Sequence, residues 1–351
     1  MGDRTMRMDG FVLGAGPAGR CDDYRVGGAV VHRTDDGWLM WYYCRDRAYD
    51  RPAPGTLGSG RVALATSRDG IRWKRYDGPD ELGSVFAPSG DPTSFDASHV
   101  GLTDVTFDGR LWHLWYFGGD LTERASRTAL GAVTGLGMRP GHATSPDGVT
   151  WTRVPGPATG GALLDYAPDR LYCAWPNVFG DHDGTLYVQT TSPTLDLGTF
   201  RTDTFTSTDG VVLTEVGPLV WADGVRQWDE GGIVTRQVLP NPFDDGRRWL
   251  MLYTGLDEHH GRSVATADSD DGRHWHHQSD GPVLTAGEPG AWDSLGAAAT
   301  RLVPVDGRLH LYYYGFSSLA DDDSPRGIGL AIADRRPGAS FRRVRVPDEQ
   351  H

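Results

Sequence analysis

Ser67-Arg68-Asp69-Gly70-Ile71-Arg72-Trp73 is the stretch from which the fold follows. It returns as Ser145-Pro146-Asp147-Gly148-Val149-Thr150-Trp151 and again as Ser269-Asp270-Asp271-Gly272-Arg273-His274-Trp275. Two weaker copies complete the series: Ser207-Thr208-Asp209-Gly210 with Leu213 in the Trp slot, and Pro337-Gly338 with Phe341. An Asp-Gly pair between short apolar segments supplies the positive φ angles of a tight hairpin turn and sets the aromatic residue on the returning strand. Five copies imply five structural units.

A second repeat keeps step with the first. Glycine-led aromatic strands begin at Gly37-Trp38-Leu39-Met40-Trp41-Tyr42, Gly109-Arg110-Leu111-Trp112, Gly184-Thr185-Leu186-Tyr187, Gly246-Arg247-Arg248-Trp249 and Gly307-Arg308-Leu309-His310. Each unit therefore reads inner strand, turn, aromatic strand, small-residue strand (Val62-Ala63-Leu64-Ala65-Thr66), turn, Trp strand. Such a four-stranded antiparallel meander cannot close a core alone, and five of them are stable when set radially around an axis. The expectation is an all-β, five-bladed β-propeller forming one domain over 1–351, with blades near 20–80, 95–157, 170–218, 228–284 and 292–346. Successive copies lie 61 to 78 residues apart, more than a compact propeller repeat of about 40 to 45 requires. The surplus, longest at 76–98, 120–142 and 155–172, belongs to loops, which are where sites are built.

The net charge of −13, with a single lysine, Lys74, argues against nucleic acid, whose backbone demands a basic footprint. The arginine bias fits a GC-rich bacterial genome. No stretch has the length or apolarity of a membrane span, and the first ten residues lack a signal-peptide core, so a cytoplasmic location is expected. Cys21, Cys44 and Cys173 have neither metal-ligand nor redox spacing. His259-His260 and His274-Trp275-His276-His277 look like metal clusters, but adjacent residues of a strand point to opposite faces. No metal site and no cofactor is expected, with an axial cation left open at the acidic loop Asp321-Asp322-Asp323 or elsewhere. Gly14-Ala15-Gly16-Pro17-Ala18-Gly19 matches the dinucleotide fingerprint, yet that chemistry needs a helix directly afterwards, and Arg20 to Gly28 has no helical period.

The Asp-Gly-x-x-Trp turns and aromatic strands make the chain resemble the five-bladed glycosidase superfamily of arabinanases, levansucrases and invertases, glycoside hydrolase families 43 and 32 included. The resemblance implies an axial pocket with three carboxylates on the first strands of three successive blades: a base or nucleophile, a transition-state stabiliser and an acid. Ala174-Trp175-Pro176-Asn177-Val178-Phe179 resembles the invertase-type Glu-Cys-Pro-Asp-Leu-Phe, with Ala174 where the acid would stand. Gly28 occupies the place of the base or nucleophile, and only Asp104, in Thr103-Asp104-Val105, mimics the stabiliser.

Small residues open the inner strands at Gly27-Gly28, Gly101, Ala174, Gly231-Gly232 and Gly296-Ala297, and polar residues precede them. This pattern reads as a wide axial pit with a polar rim. The candidate catalytic residues are Asp104, Glu230 as a relocated general acid and His99 for proton transfer. The candidate substrate-binding residues are Arg25, Asp23, Asp96, Trp175, Asn177, Asp229 and Asp293. Three functions fit: a glycosidase-like enzyme acting on a soluble small glycoside with a non-standard carboxylate set, a repurposed propeller acting as cyclase, isomerase or lyase in specialised metabolism, or a non-catalytic ligand-binding propeller. All three take a small-molecule partner.

Overall fold

Each Ser-x-Asp-Gly segment closes on itself in the same way. Ser67 Oγ accepts the Gly70 amide at 2.9 Å, and Asp69 Oδ1 accepts the amides of Ile71 and Arg72, both at 2.8 Å. The copies at Ser145, Ser207 and Ser269 repeat this pattern. The turn glycines sit at φ +73° (Gly70, Gly148 and Gly272) and +72° (Gly210), a left-handed backbone that a side chain would disfavour.

The computed structural model describes residues 6–47, 58, 60–129, 131–180, 184–318 and 324–345. These are all-β apart from short 3-10 turns. Five antiparallel meanders follow one another along the chain. The first comprises Arg25–Thr34, Gly37–Arg45, Arg61–Ser67 and Lys74–Arg75. The second comprises His99–Phe107, Trp112–Gly119, Arg139–Ser145 and Thr152–Val154. Ala174–Gly180, Leu186–Pro193, Phe200–Ser207 and Thr214–Pro218 form the third. Gly232–Pro240, Trp249–Leu256, Arg262–Ser269 and His274–His277 form the fourth. Gly296–Val305, Arg308–Phe316, Arg326–Asp334 and Arg342–Arg343 form the fifth. A parallel contact between Phe200 and Gly232 joins the third sheet to the fourth, and the leading strand Phe11–Leu13 adds to the fifth by pairing with Arg326–Asp334.

The apolar core is divided among the interfaces of consecutive sheets. Met40 and Ala65 of the first sheet meet Tyr312 and Leu330 of the fifth, Trp41 and Leu64 meet Val105 and Leu114 of the second, and Leu252 and Val264 of the fourth meet Leu309 and Leu311 of the fifth. The Asp-Gly turns lock these interfaces. Tyr312 Oη donates to Gly70 O at 2.7 Å, Trp41 Nε1 to Gly148 O at 2.7 Å and Gln189 Nε2 to Gly272 O at 3.0 Å. Thus the turn of one sheet docks on the aromatic strand of the sheet before it, and the first sheet docks on the fifth.

A third repeat emerges only in three dimensions. Asp22 Oδ2 accepts Tyr42 Oη at 2.8 Å and Arg75 Nε at 2.6 Å, and Asp96 Oδ2 accepts Tyr116 Oη at 3.0 Å and Arg153 Nε at 2.7 Å. Asp293 repeats the arrangement with Tyr313 and Arg343, and Asp229 with Tyr253 and His277. The arginine or histidine that bonds the carboxylate stands two residues after the Trp or Phe of the turn motif in each case. All four carboxylates are buried. The third sheet has Thr190 and Glu215 in the tyrosine and cation places, and its Asp169 is exposed. The glycine-rich leader serves the first of these clusters. A Cβ on Gly16 would lie 2.3 Å from Asp22 Oδ1, Arg75 Nη2 donates to Gly14 O, and no helix follows.

Removing one member of a buried charged cluster strands the others, at a cost of about 3 kcal/mol or more. Asp293→Ala is therefore expected to lower the urea midpoint substantially, whereas Asp169→Ala, at the equivalent exposed position, should change stability by less than about 0.5 kcal/mol.

Candidate functional site

Every inner strand is interrupted by a β-bulge at the same level. The register shifts between Gly27 and Val30, Leu102 and Asp104, Ala174 and Asn177, Ile233 and Thr235, and Ala299 and Arg301. Bulges re-aim side chains, and here they separate two layers of different chemistry.

The layer beyond the bulges is polar, buried and saturated. Asp104 Oδ2 accepts Asn177 Nδ2 at 2.7 Å and the Val178 amide at 3.3 Å. Its Oδ1 accepts the Val105 amide at 2.9 Å and Arg301 Nη1 at 2.8 Å. Asn177 Oδ1 accepts the Val238 amide at 2.9 Å, and Gln237 exchanges two hydrogen bonds with the backbone of Leu302. Arg301 Nη2 lies 3.1 Å from His32 Nε2, which in turn lies 2.6 Å from Val105 O. The hydrogen bonds pass from the second sheet to the third, fourth and fifth and return to the second where Arg301 meets Asp104, and His32, donating to Val105 O, ties the first sheet to the second. A carboxylate offers roughly four acceptor positions, and Asp104 has filled all of them. Burial raises its proton affinity above the ordinary carboxylate value, against the opposing pull of Arg301 and the Val178 and Val105 amides.

The layer before the bulges is aromatic. Tyr43 lies 5.8 Å from His99 between ring centroids, His99 stacks on Phe117 at 5.8 Å, Phe117 meets Trp175 at 4.7 Å, and Trp175 meets Tyr172 at 5.2 Å. Tyr172 and Tyr314 both act electrostatically on Arg262. The Arg262 guanidinium sits 5.6 Å from the Phe316 ring, which lies 5.6 Å from Tyr314. Tyr314 covers Gly27, where an added Cβ would come within 3.0 Å of its ring, and Gly27 pairs with Tyr43. The cycle thus returns to its start, with contributions from all five sheets. Tyr43, Trp175, Arg262 and Tyr314 keep partial exposure, while His99, Phe117, Tyr172 and Phe316 are buried behind them.

Two features hold this layer in place. Trp175 adopts φ +53°, a left-handed backbone uncommon for a bulky residue and a recurrent mark of functional sites. Its carbonyl accepts Arg236 Nη2 at 3.4 Å, and the same buried guanidinium donates to Gln189 Oε1 at 3.0 Å and Thr191 Oγ1 at 2.7 Å. His99 Nδ1 donates to Gly58 O at 2.7 Å, a bond that fixes the tautomer and leaves Nε2 an acceptor. Burial, reinforced by the nearby Arg45 charge, pulls the His99 pKa down to about 3 although the bond to Gly58 opposes it.

The residues singled out in the sequence fall into separate groups. Asp104 and Asn177 belong to the saturated layer. Asp96, Asp229 and Asp293 are not a pocket rim but buried anchors of the tyrosine clusters, because each accepts a hydroxyl and a cation from its own sheet. Asp23 caps the amides of Gly19 and Arg47. Arg25 donates to Tyr24 Oη at 3.0 Å and lies over the same ring. Glu230 is exposed at the end of a 3-10 turn. His99 and Trp175 are the two that join the aromatic layer. The small strand-start residues make room chiefly for rings: Phe117 covers Gly101 and Phe316 covers Gly296 just as Tyr314 covers Gly27. Sequence reading missed Tyr43, Tyr172, Tyr314 and Arg262. The signal lay in the aromatic strands, where Tyr43 and Tyr314 each stand one place beyond the clustered tyrosine. No group of three His, Cys, Asp or Glu residues that could hold a metal is found among the described residues, and the Asp321-Asp322-Asp323 loop lies outside them. No helix among the described residues is long and apolar enough to cross a membrane.

With this geometry in hand, the comparisons with known proteins are consistent. The fold is that of the propeller glycoside hydrolases. A solved glycoside hydrolase superposes with a TM-score of 0.64 at 18% identity, over 99% of this chain and 96% of its own. A thermostable family-43 glycoside hydrolase gives 0.61 at 14% identity, over 97% and 99%. An N-acetylgalactosamine deacetylase from F. plautii, solved with blood group B trisaccharide, gives 0.62 at 14% identity, over 94% and 95%. No protein-family model matches the chain, and no curated protein sequence matches it.

The depressed His99 pKa has a measurable consequence. In the unfolded chain the imidazole titrates near 6.5, so below that pH the unfolded state binds a proton that the folded state refuses. The contribution of His99 is complete above pH 6.5 and is lost as the pH falls toward 3, by at most about 1.4 kcal/mol per pH unit. The His99 ring resonances are accordingly expected to hold constant from pH 8 to pH 5 in a two-dimensional NMR titration. His99→Phe should reduce the slope of stability against pH over the same range.

Proposed function

We propose that the five meanders are the blades of a single-domain, five-bladed β-propeller, and that its aromatic mouth is a small-molecule site repurposed away from carboxylate-driven glycoside hydrolysis. The closed series of inter-sheet hydrogen bonds through Asp104, Asn177, Gln237 and Arg301, with His32 tying the first sheet to Val105, supports the first part. The second rests on one observation: Asp22, Asp96, Asp104, Asp229 and Asp293, five of the acids at or just before the inner strands, are buried and bonded, whereas Glu230 beside them is exposed. Glycoside hydrolysis needs two carboxyl groups flanking the bond, one able to exchange a proton and the other to attack or to activate water. Asp104, with its acceptor positions filled by its own protein, does neither, and Asp22, Asp96, Asp229 and Asp293 are each already engaged by a tyrosine hydroxyl and a side-chain nitrogen.

The remaining polar groups favour recognition and proton transfer by other means. Tyr314 presents a hydroxyl, Tyr43 a hydroxyl already bonded to Arg45 and Arg262 a cation, with the buried His99 imidazole behind them, around faces that suit a flat or apolar body. The substrate is a soluble small molecule held in the mouth, and any chemistry there is an isomerisation, cyclisation or elimination rather than hydrolysis at a carboxylate pair. That the fold also hosts a deacetylase is in keeping with the general separation of fold from chemistry. The alternative, a glycosidase-like enzyme acting on a small glycoside, is favoured by the fold and by Glu230, the exposed acid beside the fourth inner strand.

Aryl-glycoside turnover separates the two readings. The wild-type protein is expected to release no aryl alcohol from pentosides, fructosides or hexosides, and Asp104→Asn to cost several kcal/mol of stability by stranding Arg301. Measurable release by the wild type that disappears in Glu230→Gln would establish the glycosidase reading instead.

A further inference from the structure

Arginines stand at or beside the start of the third strand in every sheet: Arg61, Arg139, Arg201, Arg262 and Arg326. Three have carboxylate partners. Arg61 Nη1 lies 2.5 Å from Asp46, Arg139 Nε 2.7 Å from Asp165 and Arg201 Nε 2.6 Å from Asp203. Their places on the second strands are opposite Cys44, Gly118 and Ser192. Arg262 instead pairs with Leu256, one step further along, and one step on a strand sends a side chain to the other face.

The Arg262 guanidinium makes no hydrogen bond or ion pair with any described residue, in a chain whose acids outnumber its bases by 47 to 34. Its surroundings are Phe316, Tyr314 and Tyr172. Burial lowers its proton affinity, and the neighbouring tyrosines oppose this only in part. A half-buried cation left without an anion costs stability. Five N–H donors in a planar fork match the two oxygens of a carboxylate. Trp175, held in its left-handed conformation from behind by Arg236, offers a ring beside Tyr172 on the same side.

We propose that the aromatic mouth is a carboxylate-recognition site in which Arg262 takes the carboxylate of a small-molecule ligand and Trp175, Tyr43 and Tyr314 hold its flat body. This deepens the reading of the mouth as a small-molecule site and rests on it. The chemistry is shared by planar unsaturated or aryl carboxylates and by sugar acids, whose apolar ring face also stacks on aromatic side chains.

The test uses the full chain with four probes: cinnamate and galacturonate as the acids, cinnamyl alcohol and galactose as their neutral counterparts. Isothermal titration in low salt and in 0.5 M salt is expected to show binding of at least one acid, weakened by salt, and a 10-fold to 100-fold weaker affinity for its neutral counterpart, the range for one charge-assisted pair. Arg262→Gln should abolish that preference. Arg201→Gln, at a strand-start arginine already paired to Asp203, should preserve it. Preference for cinnamate assigns the aryl or unsaturated class, and preference for galacturonate the sugar acids. A structural role is tested separately by the unliganded protein: Arg262→Met is expected to melt at the wild-type temperature or higher, because it removes an uncompensated charge. Equal binding of acid and alcohol, or an acid preference surviving in Arg262→Gln, would overturn the carboxylate assignment while leaving the small-molecule site standing. Silence of all four probes together with a large drop in the melting temperature of Arg262→Met would overturn both.

Discussion

The structure depends on a closed series of hydrogen bonds between inner strands that share no direct backbone ladder. Neighbouring meanders meet by packing, which is non-directional and would tolerate sliding. Asp104, Asn177 and Gln237 remove that freedom because each side chain bonds to a specific peptide group of the next inner strand: Val178, Val238 and Leu302. Arg301 completes the passage from the fifth sheet to the second by donating to Asp104, and His32 ties the first sheet to the second by donating to Val105 O. A buried polar network with every member satisfied specifies one arrangement, and one with a missing member is worse than an apolar core. The bulges that precede these residues follow from the same constraint, since the strand must turn its polar side chain toward a neighbour while keeping its ladder.

The four tyrosine clusters set the opposite boundary of the sheets. Each joins the segment before the inner strand, the second strand and the outermost strand through one carboxylate, so the width of a sheet is fixed by a single charged centre. The cation two residues beyond the turn aromatic reaches inward across the sheet to that carboxylate. Between these clusters and the polar layer lie the aromatic side chains that surround the mouth. Their placement is thus a by-product of two rigid frames, and the strained backbone of Trp175 is tolerated because Arg236 and its neighbours over-determine it. Asp22, Asp96, Asp104, Asp229 and Asp293 are built into these frames, and the aromatic layer is made of rings with the His99 imidazole and the Arg262 guanidinium among them.

The likeness to propeller glycoside hydrolases extends over nearly the whole chain at 14–18% identity, which is what a repeated scaffold allows. Turn glycines, aromatic strands and inter-sheet packing can be kept while the residues at the inner strand starts change. Gly28 and Ala174 stand where the resemblance would put carboxylates.

The repeat of Ser-x-Asp-Gly-x-x-Trp and its companion aromatic strands determined the all-β meanders and their order, because a turn needing positive φ and a strand of alternating burial are local requirements written in consecutive residues. The absence of a helix after the glycine-rich leader was equally legible, since the residues that would form it are neighbours in sequence. Which carboxylates are free was not legible. Asp96 and Asp293 look like rim acids until Tyr116, Arg153, Tyr313 and Arg343 arrive from strands 20 to 57 residues away. Asp104 looks like a stabiliser until Arg301 reaches it across 197 residues. Conversely, Arg262 resembles any other arginine until a one-residue difference in pairing turns it from the acids to the rings. Local geometry decides which strands form; the partners that surround a charge are decided only when distant strands are brought together.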